Sequence, residues 1–166
     1  MATALPKVLK NFHLFLDGES WAGLATEVTL PSFEINTEDH RAGGMDSSVP
    51  IDLGMEKMEA AFTLNEFVPK TFKMFGKWDT LLRFKGTLSG PNGAQSMEVV
   101  MRGLIKKVDP GSIKSGEVSE LKGDITLTYC KVSINNEDLI EVDVLNMIRK
   151  IDGVDQLEEQ RNHLGL

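Results

Sequence analysis

The chain has a single cysteine, Cys130, in 166 residues, so no disulfide can form within it. A lone thiol fits a reducing cytoplasm. It lies in Thr128-Tyr-Cys-Lys-Val132, a strand pattern with no histidine or acid adjacent, and so reads as a structural thiol rather than a nucleophile. Histidine is scarce as well. His13, His40 and His163 fall in a strand, a loop and a tail, and no pair has the spacing of metal ligands, which excludes a zinc site. Basic residues are outnumbered, 18 Lys and Arg against 25 Asp and Glu, leaving a net charge of −7. That balance argues against a general affinity for DNA or an anionic membrane, because phosphate binding needs clustered cations. Basic stretches interleaved with aromatics, the sign of single-strand nucleic-acid binding, are missing. No apolar run approaches the ~20 residues needed to span a bilayer. The opening Met1-Ala-Thr-Ala-Leu-Pro-Lys-Val-Leu9 has no apolar core of signal-peptide length. Gly43-Gly44 lacks the following lysine and the strand-to-helix setting of a phosphate-cradling loop.

What is present is period-two alternation, which makes this a mainly β chain, of a size for one domain over residues 1–166. Phe12, Leu14 and Leu16 alternate with Asn11, His13 and Phe15, and Asp17-Gly18 signals a tight turn. Leu24, Val28 and Leu30 share a parity before Pro31 stops the strand. Met58, Ala60, Phe62 and Leu64 alternate with Lys57, Glu59, Ala61 and Thr63. A hairpin turns at Ser89-Gly-Pro-Asn-Gly93, and a second turn falls at Asp109-Pro-Gly-Ser112. Leu121, Ile125, Leu127 and Tyr129 oppose Lys122, Asp124, Thr126 and Thr128 in the clearest amphipathic strand, and Asn135-Asn136 turns it back into Leu139–Leu145.

Two short helices are expected. Val68–Gly76 has Pro69 in its first turn, Val68, Phe72 and Phe75 at i, i+4 and i+7, and Gly76 as a C-cap. Within the tail from about 146 to 166, Val154–His163 is weakly amphipathic, with Val154, Leu157 and Arg161 near one stripe, and at that length it must dock on something. Residues 36–54 carry two adjacent glycines, a proline and many small polar residues, and read as a long loop without periodicity. Arg41, Met45, Val49, Ile51 and Leu53 keep it from being a simple solvated linker. Their apolar surface calls for a cover, and a neighbouring subunit is one candidate.

Catalytic chemistry is thin. Asp39-His40-Arg41 is the one cluster with the look of a site, and a polar loop making turns and surface ion pairs accounts for it. Glu141 and Asp143 lie on one strand face, ~7 Å apart by strand rise, with nothing nearby to split their pKa values.

Several blocks in order resemble the major tail tube protein of phages with contractile tails, a family shared with R-type bacteriocins. They are Arg41-Ala-Gly-Gly-Met45 with Pro50-Ile-Asp-Leu-Gly54, Glu98-Val-Val-Met-Arg-Gly103, Glu141-Val-Asp-Val-Leu-Asn-Met-Ile148, Asp152-Gly-Val-Asp155 and Arg161-Asn-His-Leu-Gly-Leu166. The opening Asn11–Gly18 hairpin and the Ala25–Pro31 strand join them. The resemblance implies an antiparallel β-sandwich or barrel with one short flanking helix and a short C-terminal helix. It implies hexameric rings stacked into a tube inside a contractile sheath, with no enzyme activity and no cofactor. The partners it implies are further copies of the chain, the sheath, baseplate and tail-terminator proteins, and DNA passing through the lumen without sequence-specific binding. The implied location is the virion tail, assembled in the cytoplasm of the host bacterium, with no membrane contact. On that reading Arg41, Met45, Ile51 and Leu53 are candidates for the contact between rings. Lys57, Glu59, Lys122, Asp124, Thr126 and Thr128 are candidates for the lumen. The alternatives are the tube of a DNA-free bacteriocin or, in a different class, a monomeric β-barrel that binds a small ligand or catalyses with Asp39, His40 and Arg41.

Overall fold

Three tight turns set the antiparallel course of the chain. Asp17-Gly18, Asn135-Asn136 and Asp152-Gly153 each place two successive residues at positive φ, between 49° and 81° for the first pair and 50° and 78° for the last. That is the type I′ geometry whose twist matches paired strands. The computed structural model describes residues 4–166, so the reading of the extreme N-terminus falls partly outside the described residues. The strands are β1 (Val8–Leu16), β2 (Glu19–Ser20), β3 (Ala25–Thr29), β4 (Ile35–His40), β5 (Val49–Met55) and β6 (Met58–Leu64). After helix α1 (Pro69–Lys73) come β7 (Thr80–Gly90), β8 (Gly93–Asp109), β9 (Leu121–Ile134), β10 (Glu137–Asp143), β11 (Ile148–Ile151), β12 (Val154–Asp155) and helix α2 (Glu158–Leu164).

Every strand pair is antiparallel. The main sheet runs β12-β11-β10-β9-β8-β7-β1-β2 and branches at β9. The first half of β9, Leu121–Leu127, pairs with β6, which carries β3, while the second half pairs with β10. The branch point is a bulge. Arg102 pairs with Tyr129 and Gly103 with Leu127, leaving Thr128 as the extra residue. A bulge bends a strand and sharpens its twist, so β8 and β9 each pass from one layer into the other. The layers enclose a core in which Leu14, Leu16, Leu64, Leu82, Met101, Ile105, Leu121 and Ile125 are fully buried. The Trp21 ring packs over Phe62 with centroids 5.4 Å apart. The mainly β, antiparallel sandwich with two short helices is the expected fold.

Four local readings are corrected. Residues 36–54 are not one long loop: β4 and β5 pair as a separate two-stranded sheet, and only residues 41–48 between them are irregular. The first helix is shorter than 68–76, and its inward positions are Val68 and Thr71, while Phe72 and Phe75 are exposed. The chain turns out of the helix at Met74, two residues before Gly76, which takes a left-handed φ of 77°. The tail helix begins at Glu158 rather than Val154, because the Asp152-Gly153 turn pairs Val154-Asp155 back onto Lys150-Ile151.

Candidate functional site

Among the described residues, the β4–β5 hairpin pairs with no strand of the main sheet. Its cross-strand partners Glu38–Ile51 and His40–Val49 share one face, and Asp52 with Thr37 and Asp39 with Pro50 share the other. Val49, Ile51 and Leu53 are 51, 48 and 57% exposed. An isolated two-stranded hairpin is marginal in water, and this one presents apolar side chains to solvent. The tip is built differently. Arg41 donates from Nε to the Met45 carbonyl at 3.3 Å, and the Met45 and Ala42 backbones are bonded at 3.2 Å. Of the four hairpin candidates, Ile51 and Leu53 therefore offer free surface, while Arg41 and Met45 fold the tip. Near the base, Leu53 borders a groove with Met55, Val144, Met147 and Leu157.

The far wall of that groove is the C-terminal segment, held by a carboxylate. Asp155 Oδ1 accepts the backbone N–H groups of Leu157 and Arg149 at 3.1 and 3.3 Å, and Oδ2 accepts Arg161 Nη1 at 2.7 Å. Arg161 also donates to the Met147 carbonyl at 2.9 Å. Burial works to raise the Asp155 carboxyl, but the bonds from Arg161, Leu157 and Arg149 outweigh it and hold it below the ordinary 3.8. A carboxylate with a lowered folded pKa stabilises above its unfolded value, and that contribution is lost as pH falls through the folded one. Protection of the α2 amides, taken relative to their intrinsic exchange rate at each pH, is accordingly expected to fall below pH 3.8. Asp155→Asn should give the same loss of protection at neutral pH, at a cost of roughly 1.5–3 kcal/mol for the lost charged bonds. Equal exchange in variant and parent at pH 7 would refute this.

The lumen candidates gather on the non-core face of β6 and β9. Glu59 pairs across with Thr126, Ala61 with Asp124 and Thr63 with Lys122. Lys57, just ahead of β6, reaches Glu59 at 3.0 Å, and Lys106 of β8 also bonds Glu59. These two lysines hold the Glu59 carboxyl below its ordinary range. Lys107 stands opposite Asp124. Thr128 does not continue this row: as the bulge residue it donates to the Arg102 carbonyl at 3.4 Å.

The groups that resembled catalytic ones do not converge on one site. Asp39 and His40 are adjacent on β4 and so point to opposite faces, and both are exposed. Glu141 accepts the Tyr129 hydroxyl at 3.0 Å, and burial together with that bond pushes the phenol up to about 12. Asp143 binds the Asn146 backbone and side chain at 3.0 and 2.7 Å. Burial raises the Cys130 thiol to about 12, so it stays protonated inside the core.

The phage tail tube protein FII family matches residues 6–165 of the chain. The tail tube protein of Escherichia phage P2 is 35% identical over 171 residues, covering 98% of this chain and 99% of that protein. The major tail tube protein of Serratia phage KSP20 is 38% identical over 154 residues, 90% of each. Among solved structures, a chain of the cryo-EM sheath/tube terminator of an extracellular contractile injection system, in the extended state, superposes with a TM-score of 0.60. It shares 10% identity, and the match covers 80% of this chain and 99% of that one, a likeness of fold alone.

Proposed function

Because the chain belongs to the phage tail tube protein FII family, we propose that this tail tube subunit closes into hexameric rings, which stack inside a contractile sheath and conduct DNA. The full-length match to two phage tail tube proteins carries the reading. Open strand edges support ring closure. Among the described residues, the β1 edge away from β7 is paired only at Phe15 and Leu16, leaving Val8–His13 open on that edge, and β3 pairs only with β6. An unpaired edge is a template for another chain, and two different edges allow the head-to-tail contact that a ring needs. The exposed β4–β5 face supports the axial contact, with Ile51 and Leu53 nearer to it than Arg41 and Met45. The sheath, baseplate and terminator proteins are the remaining partners of such a tube, in a virion tail put together in the host cytoplasm.

The β6–β9 face suits a channel wall because its carboxylates are matched by lysines. Glu59 has Lys57 and Lys106, and Asp124 has Lys107 opposite. Internal pairing, more than an excess of acid, gives a wall with little hold on a charged polymer. Reversing Asp124 and Glu59 to Lys is expected to slow DNA passage while leaving tube length intact. Variants that eject DNA normally but fail to hold sheath would place this face outward. For the assembly itself, negative-stain microscopy of concentrated protein should show rings or tubes, and monomers alone, with or without other tail proteins, would refute it.

A further inference from the structure

Arg149 is the one charged side chain among the buried described residues, at 8% exposed. It stands where the fold calls for an apolar one. Reading across the strands, Leu16, Leu82, Met101, Cys130 and Val142 form one inward row, and Arg149 is its next member on β11. A charge in a core row breaks the alternation that builds the sheet, and such breaks mark positions kept for a purpose other than stability. Here the guanidinium leaves the row toward the hairpin. Nη2 donates to Asp52 Oδ2 at 2.8 Å, across 97 positions of sequence. Asp52 is in turn fixed, because Oδ1 accepts the Gly54 N–H at 2.7 Å.

Among the described residues this is the one side-chain hydrogen bond or ion pair joining the β4–β5 strands to the rest of the molecule. The base of the hairpin is otherwise tied by the Glu56 N–H to the Glu34 carbonyl at 2.9 Å and by Met55, which packs against the core. Arg149 for its part is held by the Asp155 clasp, its N–H on Oδ1 and its carbonyl accepting Gln156 N–H at 2.8 Å. The C-terminal segment thus extends one charged arm to a hairpin that otherwise touches the core only at its base. Asp52 lies on the hairpin face opposite Val49 and Ile51, so the arm grips one face and leaves the apolar one outward.

We propose that Arg149 is a positioning residue for assembly: its bond to Asp52 sets the angle at which the hairpin offers Val49 and Ile51 to a second copy of the chain. This rests on the reading of the hairpin as a contact between subunits. Preset geometry removes the ordering cost that a swinging hairpin would bring to each association.

Arg149→Met tests it, since methionine suits the apolar row and removes the arm. The free subunit should melt no lower than the parent, while amide exchange in residues 35–55 rises at least tenfold and tube nucleation slows at least tenfold. Asp52→Asn, which leaves the core row untouched, should do the same, and Arg149→Lys should recover part of both effects. Unchanged hairpin exchange in both variants would overturn the proposal, and so would faster exchange with tube nucleation at the parental rate. If the parent itself forms no tubes, the assembly reading fails, and the positioning role with it.

Discussion

Gly103→Ala is expected to be among the most damaging single-methyl changes in the chain. A Cβ on Gly103 would lie 2.0 Å from the Thr126 carbonyl oxygen and 2.9 Å from the Leu127 Cα. Both obstacles are backbone of the neighbouring strand, so no rotamer change relieves them. They cannot retreat easily, because β9 is held on its other side by β6 through the Glu59–Thr126 and Met58–Leu127 pairs. Relief must come from spreading β8 from β9 at the bulge where the two layers join. Overpacking a core typically costs ~1–3 kcal/mol, occasionally more, and this backbone clash belongs at or above the upper end. A fall of that size would leave a domain of marginal stability largely unfolded on mild heating. Gly123→Ala makes the comparison. There the added methyl would meet the Phe62 ring at 2.3 Å, a buried side chain and not strand backbone, so the loss should be smaller. Chemical denaturation of both variants checks the order, and a Gly103→Ala midpoint within error of the parent would refute the account.

That glycine also shows what could and could not be read from the chain. Met-Arg-Gly103 stood out as part of a family block, yet nothing in its neighbours announced a bulge, because the extra residue, Thr128, sits on the partner strand some 25 positions away. Turns were legible where two residues alone set the geometry, as at Asp17-Gly18 and Asn135-Asn136. Asp152-Gly153 carries the same signal, but the helical spacing of Val154, Leu157 and Arg161 competed with it. The turn won because Asp155 closes the segment through its own hydrogen bonds. Strands buried on one face alternate and could be found; β4 is exposed along its whole length and β5 over most of it, so neither alternates. For the same reason Ile51 and Leu53 could be chosen as surface residues, while the sheet they belong to could not. Arg149 is not legible as a core member, because a charged residue in a short strand reads as a surface position until its row in the sheet is known.

Replacing Val49 and Ile51 together by Asp is expected to abolish tubes while leaving the free subunit folded. Both side chains are about half exposed, 51 and 48%, and neither belongs to the core. Their loss should therefore move the melting temperature of the monomer little. In the assembled contact the same change acts twice. It removes apolar area worth ~1 kcal/mol for each half-exposed side chain. It also asks the contact to desolvate two carboxylates on a face that already carries Glu38 opposite Ile51. Together these come to ~3 kcal/mol or more per protomer, roughly a hundredfold in each association constant. In the proposed tube the penalty repeats for every protomer around a ring, so stacking should fail before ring closure, which that proposal assigns to the strand edges. Isolated rings without tubes are the expected product under the microscope. Tubes of normal length from the double variant would show that the apolar hairpin face is not the axial contact.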